Sequence, residues 1–343
     1  MKRIGILGLP QSGKTTLFEI LMQGAGTGGG RDQVGVVRVP DPRIDRLSAL
    51  YSPKKTTLAQ VQFVDSAAAG QASARSAAKG TDLFAAVRAC DALVFVVRDF
   101  ELAGEPPDPA RDRAALDAEL ILNDLAIVEN RLEKLAKELR IGKKQNEAEH
   151  TLLERCKRVL EAERPLSGET FAPDELRLLR GFQMLSLKPR LVVYNQDERS
   201  RHVPEPPPGI ARALALRAHL EREIVALPAG ERAAFRSELA LEDDGLSLVI
   251  RACYELLGLI SFFTVGPDEV RAWEIRRGEK AVDAAGEIHS DLARGFIRAE
   301  VIEWDRLLEA GGHAKARDKG WLRLEGRDYE VKDGDCLEIR FNK

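Results

Sequence analysis

Eight residues near the N-terminus, Gly8-Leu9-Pro10-Gln11-Ser12-Gly13-Lys14-Thr15, constrain this chain more than any other feature. The apolar segment Arg3-Ile4-Gly5-Ile6-Leu7-Gly8 precedes them and reads as a short buried strand. Thr15 to Gln23 follows and reads as a helix with Leu17, Phe18 and Leu21 facing inward. A glycine-rich loop between a strand and a helix N-terminus is built for phosphate. Gly8 and Gly13 let the backbone turn its N–H groups toward an anion, at the end of a helix whose dipole favours negative charge. In that pattern Lys14 neutralises the outer phosphates of a nucleoside triphosphate, and the Thr15 hydroxyl binds Mg²⁺. Pro10, Gln11, Ser12 and Thr16 complete the expected phosphate contacts.

The rest of the N-terminal half repeats the alternation of strand and helix. Val34–Val39, Ala59–Val64, Ala92–Val97 and Arg190–Tyr194 are strand candidates, and Ala92–Val97 and, after Arg190, Leu191–Tyr194 are apolar runs, as strands covered on both faces are. The expected fold is therefore α/β with a parallel-rich sheet. Asp65 ends the second of these strands, fifty residues after Thr15, where an aspartate supports Mg²⁺ in GTPase-like domains. Asn195-Gln196-Asp197-Glu198 follows the fourth. GTPases carry Asn-Lys-x-Asp there, with the aspartate reading guanine. With Gln196 and Glu198 in those places, guanine preference is expected to be weak, and Asn195 and Glu198 are the residues expected to meet the base.

The middle of the chain changes period. From Ile121 the apolar residues Leu125, Val128, Leu132, Leu135 and Leu139 fall at alternating steps of four and three, a heptad seam on a long helix. Gly142-Lys143-Lys144 breaks it, and a second helix with Leu152, Leu153, Cys156, Val159 and Leu160 is expected to pack back antiparallel. Pro204 to Pro208 reads as a loop. After Gly258, short strand-like segments (Val270–Ile275, Phe296–Val301, Asp328–Val331 and Cys336–Phe341) indicate a small α+β domain.

The net charge of −3 does not imply a dominant nucleic-acid patch and leaves a local one open. The last 85 residues hold 15 Lys/Arg against 18 Asp/Glu. Their candidates for RNA phosphate contact (Arg271, Arg276, Arg277, Arg294 and Arg298) are therefore weighed against a solvated surface, which the interleaved glutamates favour. Trp273, Trp304 and Trp321 read as core more readily than as base-stacking platforms, and His289 as structural rather than catalytic. Four widely spaced cysteines suit reduced, buried thiols. No apolar run approaches the roughly 18 residues of a membrane span, so a cytoplasmic protein without membrane contact is expected.

These residues resemble one family over nearly the whole chain, the Obg-like ATPases of the YchF subfamily of translation-factor GTPases. The similar motifs are Val39-Pro40-Asp41-Pro42-Arg43-Ile44-Asp45, Phe63-Val64-Asp65, Asp91 to Arg98, the Asn-x-x-Glu of Asn195 to Glu198, Glu269 to Trp273, Gly295 to Glu300 and Lys332-Asp333-Gly334-Asp335. The resemblance implies a P-loop G domain (1–110 and 183–258), an inserted helical coiled-coil hairpin (111–182) and a C-terminal α+β TGS-like domain (259–343). It implies ATP used as well as or better than GTP, and a ribosome or ribosomal subunit as partner. The sequence departs from the family where Asp65-Ser66-Ala67-Ala68-Ala69 stands for Asp-x-Ala-Gly-Leu, so Ala68 replaces a glycine that touches the γ-phosphate. Ala69 cannot orient water, and Gly70-Gln71 serves only if the register slips. Gln11 stands where the family has Asn, and Thr27, in the Gly-rich 24–30, is the remaining candidate for a Mg²⁺ ligand from the first switch. Intact Lys14, Thr15 and Asp65 favour a slow Mg²⁺-dependent ATPase. The altered segment favours a nucleotide-gated binding protein with little turnover.

Overall fold

The computed structural model describes residues 1–25, 34–65, 84–140, 146–198, 200, 205–206, 210, 212–239, 241 and 244–342. The elements are β1 (Arg3–Leu7), α1 (Lys14–Ala25), β2 (Val34–Arg38), α2 (Pro42–Tyr51), β3 (Lys55–Thr57), β4 (Gln60–Asp65), α3 (Ala85–Arg88), β5 (Ala92–Asp99), α4 (Pro109–Arg140), α5 (Glu147–Glu161), α6 (Pro173–Leu179), β6 (Arg190–Gln196) and β7 (Arg212–Leu216). They continue with α7 (Ala218–Ala226), α8 (Ala229–Glu238), α9 (Gly245–Leu256), β8 (Leu259–Val265), β9 (Glu269–Arg276), α10 (Ala281–Ile288), α11 (Ser290–Arg294), β10 (Phe296–Glu303), α12 (Trp304–Ala310), α13 (His313–Asp318), β11 (Arg323–Glu325) and β12 (Asp335–Phe341). Residues 24–25 lie in α1. Thr27, residues 66–83 with Ala68 to Gln71, the 142–144 break and most of the 204–208 loop lie outside the described residues.

The chain divides into two compact units, residues 2–35 with 62–249, and residues 1 and 36–61 with 250–343. In the first, strands lie in the order β4-β1-β5-β6-β7. The registers of β1 with β4 and β5, β5 with β6, and β6 with β7 are all parallel. Its strands run apolar on both faces because helices cover both, and Ile4, Ile6, Leu93, Phe95 and Val192 are fully buried. The strand order reverses at β1, whose neighbours β4 and β5 both follow it in sequence. Such a switch point opens a crevice beyond the C-terminal strand ends, where ligands of α/β sheets bind.

The heptad seam forms the helix pair α4–α5. At about 1.5 Å per residue the 32 residues of α4 span roughly 48 Å. Glu138 accepts from Asn146 at 2.5 Å, Arg131 meets Glu149 at 2.7 Å, and Glu129 meets Lys157 at 3.1 Å. Partner numbers fall on one helix as they rise on the other, so the pair is antiparallel. Ile121, Val128, Leu132 and Leu135 pack on Leu153, Cys156 and Leu160, while Leu116 and Leu120, one turn earlier, join the core of the sheet. The junction is fixed by Asp124, which is fully buried and accepts from the Leu185 and Ser186 N–H groups at 2.8 and 2.7 Å. Asp124→Ala leaves two buried donors unpaired and is expected to destabilise this unit by about 2–5 kcal/mol, with Asp124→Asn, which accepts only once there, costing less. Denaturant midpoints of the two variants check this.

The second unit holds a sheet of order β11-β10-β12-β8-β9-β3. Residues 36–61, which the sequence division put with the N-terminal α/β segment, group with this unit because β3 pairs in parallel with β9 and α2 packs on it. Asp41 caps α2 through the Arg43 N–H at 3.0 Å, and Arg43 in turn grips Asp333 at 2.9 Å. Small residues on α10 (Ala281, Ala284 and Ala285) let that helix lie close to Phe262, Ile275 and Leu337. The expected strand Asp328–Val331 is not one. Only Glu330 bridges, to Lys280, because Gly326 and Gly334 turn the chain on either side. Strands β3, β7, β8 and β11 were not anticipated. His289 caps α11 by accepting from the Asp291 N–H at 3.1 Å, a structural part as expected. Trp273 stacks on Phe262 at 6.4 Å between ring centroids, and the Arg271 guanidinium lies over the Trp273 ring, 3.7 Å from its centroid. All four cysteines are buried and free. No helix among the described residues is long and apolar enough to cross a membrane.

Candidate functional site

The loop after β1 lies at the switch point. Its glycines are set by close approach. A Cβ at Gly8 would stand 2.7 Å from the Val96 carbonyl oxygen, since β5 runs alongside. Gly13 has φ +95°, and a Cβ there would meet Asn195 Nδ2 at 2.2 Å. Gln11 also takes a left-handed backbone, at φ 63°. The Ser12 N–H closes a tight turn onto the Leu9 carbonyl at 3.2 Å, and the Leu17 N–H starts α1 on the Gly13 carbonyl at 2.9 Å. No acidic side chain stands in the first turn of α1, so its positive dipole end is left for an anion. Lys14 folds back over the loop, its Nζ 3.5 Å from the Leu9 carbonyl oxygen. The Ser12 hydroxyl is buried with no hydrogen-bond partner among the described residues.

Strand register delivers the remaining groups. Asp65 pairs with Ile6, which places its buried carboxylate one strand from the loop. Asn195 and Gln196 pair with Arg98 and Asp99 at the ends of β6 and β5. The Asn195 amide uses both ends, donating to the Ser12 carbonyl at 3.0 Å and accepting from the Ala218 N–H at 3.1 Å. It thereby ties the phosphate loop to the start of α7. Glu198 is exposed and lies 4.0 Å from His219.

These elements enclose a cavity of about 720 Å³. Of the residues expected from the sequence, Gln11, Gly13, Lys14, Thr15, Thr16, Asn195 and Glu198 line it. Gly8, Pro10, Ser12 and Asp65 do not. Gly8 and Ser12 shape the loop from behind, and Asp65 sits at the neighbouring strand end. The sequence reading missed the wall from the β7–α7 junction, Arg217, Ala218, His219, Leu220 and Arg222, together with Phe100 and Glu101 after β5. The signal available was positional. In a parallel sheet every loop leaving a C-terminal strand end near the switch point faces the crevice.

A phosphate loop at the switch point, closed by an asparagine from the β6 end, defines a P-loop nucleotide-binding protein with a G-domain fold. The chain is 35% identical to the ribosome-binding ATPase YchF of Bacillus subtilis, over 98% of each chain, and 36% identical to that of Haemophilus ducreyi, over 99% of each. It belongs to the YchF family. The family model YchF-GTPase_C, described as a protein of unknown function (DUF933), matches residues 259–342. The solved structure of the Schizosaccharomyces pombe YchF GTPase has a TM-score of 0.86 to this one at 26% identity, covering 99% of this chain and 97% of that chain.

Proposed function

We propose that this protein is a slow, Mg²⁺-dependent, cytoplasmic ATPase that prefers ATP to GTP and works in association with the ribosome. The observation that carries the reading is the Asn195 bridge, which holds a Gly13-Lys14-Thr15 helix start open to a cavity of about 720 Å³, in a chain whose full-length relatives are named ribosome-binding ATPases. The residues fit a triphosphate. Gly13 leaves no room for a side chain, the first turn of α1 holds no acid, and the Ser12 hydroxyl is buried without a partner among the described residues. An oxygen donor set of the Thr15 hydroxyl and the Asp65 carboxylate suits Mg²⁺, which supplies charge neutralisation at the phosphates when bound.

In this reading the loop N–H groups and Lys14 bind the phosphates, and Asn195 keeps the loop in its binding shape. The base lies toward Gln196 and Glu198. The ribosome reading extends from the relatives' names, and it predicts co-sedimentation with ribosomal subunits. The second reading, a nucleotide-gated binder with little turnover, is favoured by one observation, the sequence Asp65-Ser66-Ala67-Ala68-Ala69.

Calorimetric titration with ATP and GTP analogues in Mg²⁺, followed by phosphate release on the same sample, tests both. Tighter ATP binding with measurable release is the expected result. Binding without release selects the second reading, and no binding of either nucleotide overturns both.

A further inference from the structure

The last strands carry an arrangement that the nucleotide site does not use. Glu300 on β10 and Glu338 on β12 are register partners on antiparallel neighbours, so two carboxylates stand directly opposite each other. Like charges in that position repel. Glu300 is only 2% exposed, and two guanidiniums serve it, Arg317 at 2.9 Å and Arg340 alongside. Glu338 receives neither. Its one ion-pair contact among the described residues is the imidazole of His313, the first residue of α13, with Nδ1 3.5 Å from Oε2.

That separation is too long for a strong hydrogen bond. Nδ1 is nonetheless buried and has no hydrogen-bond partner among the described residues. A buried polar nitrogen left so is costly. His313 is held in place independently, because its backbone N–H donates to the Tyr51 hydroxyl of α2 at 3.0 Å. Donor atoms roughly 2.1 Å from a tetrahedral Zn²⁺ stand about 3.4 Å from one another. The gap between His313 and Glu338 is thus the edge of such a site. One donor atom from each of Glu300, His313 and Glu338 lies within 4.8 Å of the other two. Glu338, with 58% of its side chain exposed, has room to close the remainder.

We propose that Glu300, His313 and Glu338 form a divalent-metal site that takes Zn²⁺ in preference to Mg²⁺, with the fourth position left to water. An imidazole beside two carboxylates is a donor set for Zn²⁺, whereas Mg²⁺ takes oxygen ligands. The cation supplies the charge that the opposed glutamates lack, and it engages the lone pair of Nδ1. It ties α13 to β10 and β12. Arg317 and Arg340 act as outer hydrogen bonds of the ligating Glu300, whose oxygens each keep a second lone pair. Their two positive charges also offset the two carboxylates, so a micromolar rather than a nanomolar affinity is expected. The site is independent of the nucleotide reading.

The test titrates Zn²⁺ alone into the full chain by calorimetry, without nucleotide, for the wild type, His313→Gln and Glu338→Gln. Melting curves are taken with and without the metal. The wild type is expected to bind one equivalent and to melt higher in its presence. Each substitution is expected to weaken binding by at least roughly tenfold and to remove the rise in melting temperature. Both replacements keep a polar side chain, and Glu338→Gln, on the exposed strand position, carries the test if His313→Gln does not fold. Co²⁺ in the wild type is expected to give the visible absorption of a site of low coordination number, lost when Zn²⁺ is added. A tenfold excess of Mg²⁺ should leave Zn²⁺ bound.

No binding of Zn²⁺ tighter than about 100 μM overturns the proposal. Affinity retained in either folded variant does so too, since the metal then sits elsewhere. Displacement by Mg²⁺ overturns the stated selectivity.

Discussion

Lys14→Ala is expected to lower ATP affinity by at least roughly a hundredfold, the equivalent of about 2.7 kcal/mol, with the fold unchanged. The argument is one of charge and place. Lys14 opens α1 where no acidic side chain competes for it, and its one hydrogen bond among the described residues is a long one, 3.5 Å, to the Leu9 carbonyl. The ammonium therefore contributes little to the protein alone. Against the outer phosphates of a bound nucleotide it makes charge-assisted hydrogen bonds inside a partly enclosed cavity, where water screens it less. Lys14→Arg restores the charge but not the shape, because a planar fork on a longer stem cannot enter the same loop, and it should recover only part of the affinity. Titration of the three proteins with ATP, beside their melting curves, checks this. Unchanged affinity in Lys14→Ala would show that the nucleotide, if bound, sits elsewhere.

The phosphate loop was legible because its information is local. The strand, the turn and the helix start lie within 25 residues, and each glycine answers to a neighbour a few ångströms away. The heptad seam was legible for the same reason, since Ile121 to Leu135 meet Leu152 to Leu160 through one short connection. Strand β7 was not. Arg212-Ala213-Leu214-Ala215-Leu216 is built from good helix formers, and only pairing with Leu191 to Asn195 makes it a strand. With β7 unread, the start of α7 and its share of the cavity wall could not be placed. Strand β8 lay hidden behind α9, because an apolar helix end runs into an apolar strand with only Leu257 and Gly258 between them. Asp41, Arg43 and Asp333 stood in motifs that the family resemblance picked out, yet nothing in either motif said that Arg43 and Asp333, 290 residues apart, form an ion pair. Long-range pairs of this kind are fixed by tertiary structure, and a single sequence carries no periodic trace of them.

Asn195→Ala is expected to damage stability and binding together. The Asn195 side chain is buried, and its removal leaves the Ser12 carbonyl and the Ala218 N–H without the partner it gave them, 183 and 23 residues away along the chain. Two such losses cost about 2–5 kcal/mol. Because one of them frees the loop that must hold phosphates, ATP affinity should also fall by on the order of tenfold or more, as the loop has to be ordered on binding. Asn195→Asp separates the two effects. Aspartate still accepts from the Ala218 N–H, so part of the stability is expected to return. It cannot donate to the Ser12 carbonyl, and it puts a negative charge against the loop that binds an anion. The Asp variant should therefore melt above the Ala variant yet bind ATP more weakly than it does. If both variants bind ATP as the wild type does, Asn195 is a structural tie with no bearing on the nucleotide, and the loop keeps its binding shape without it.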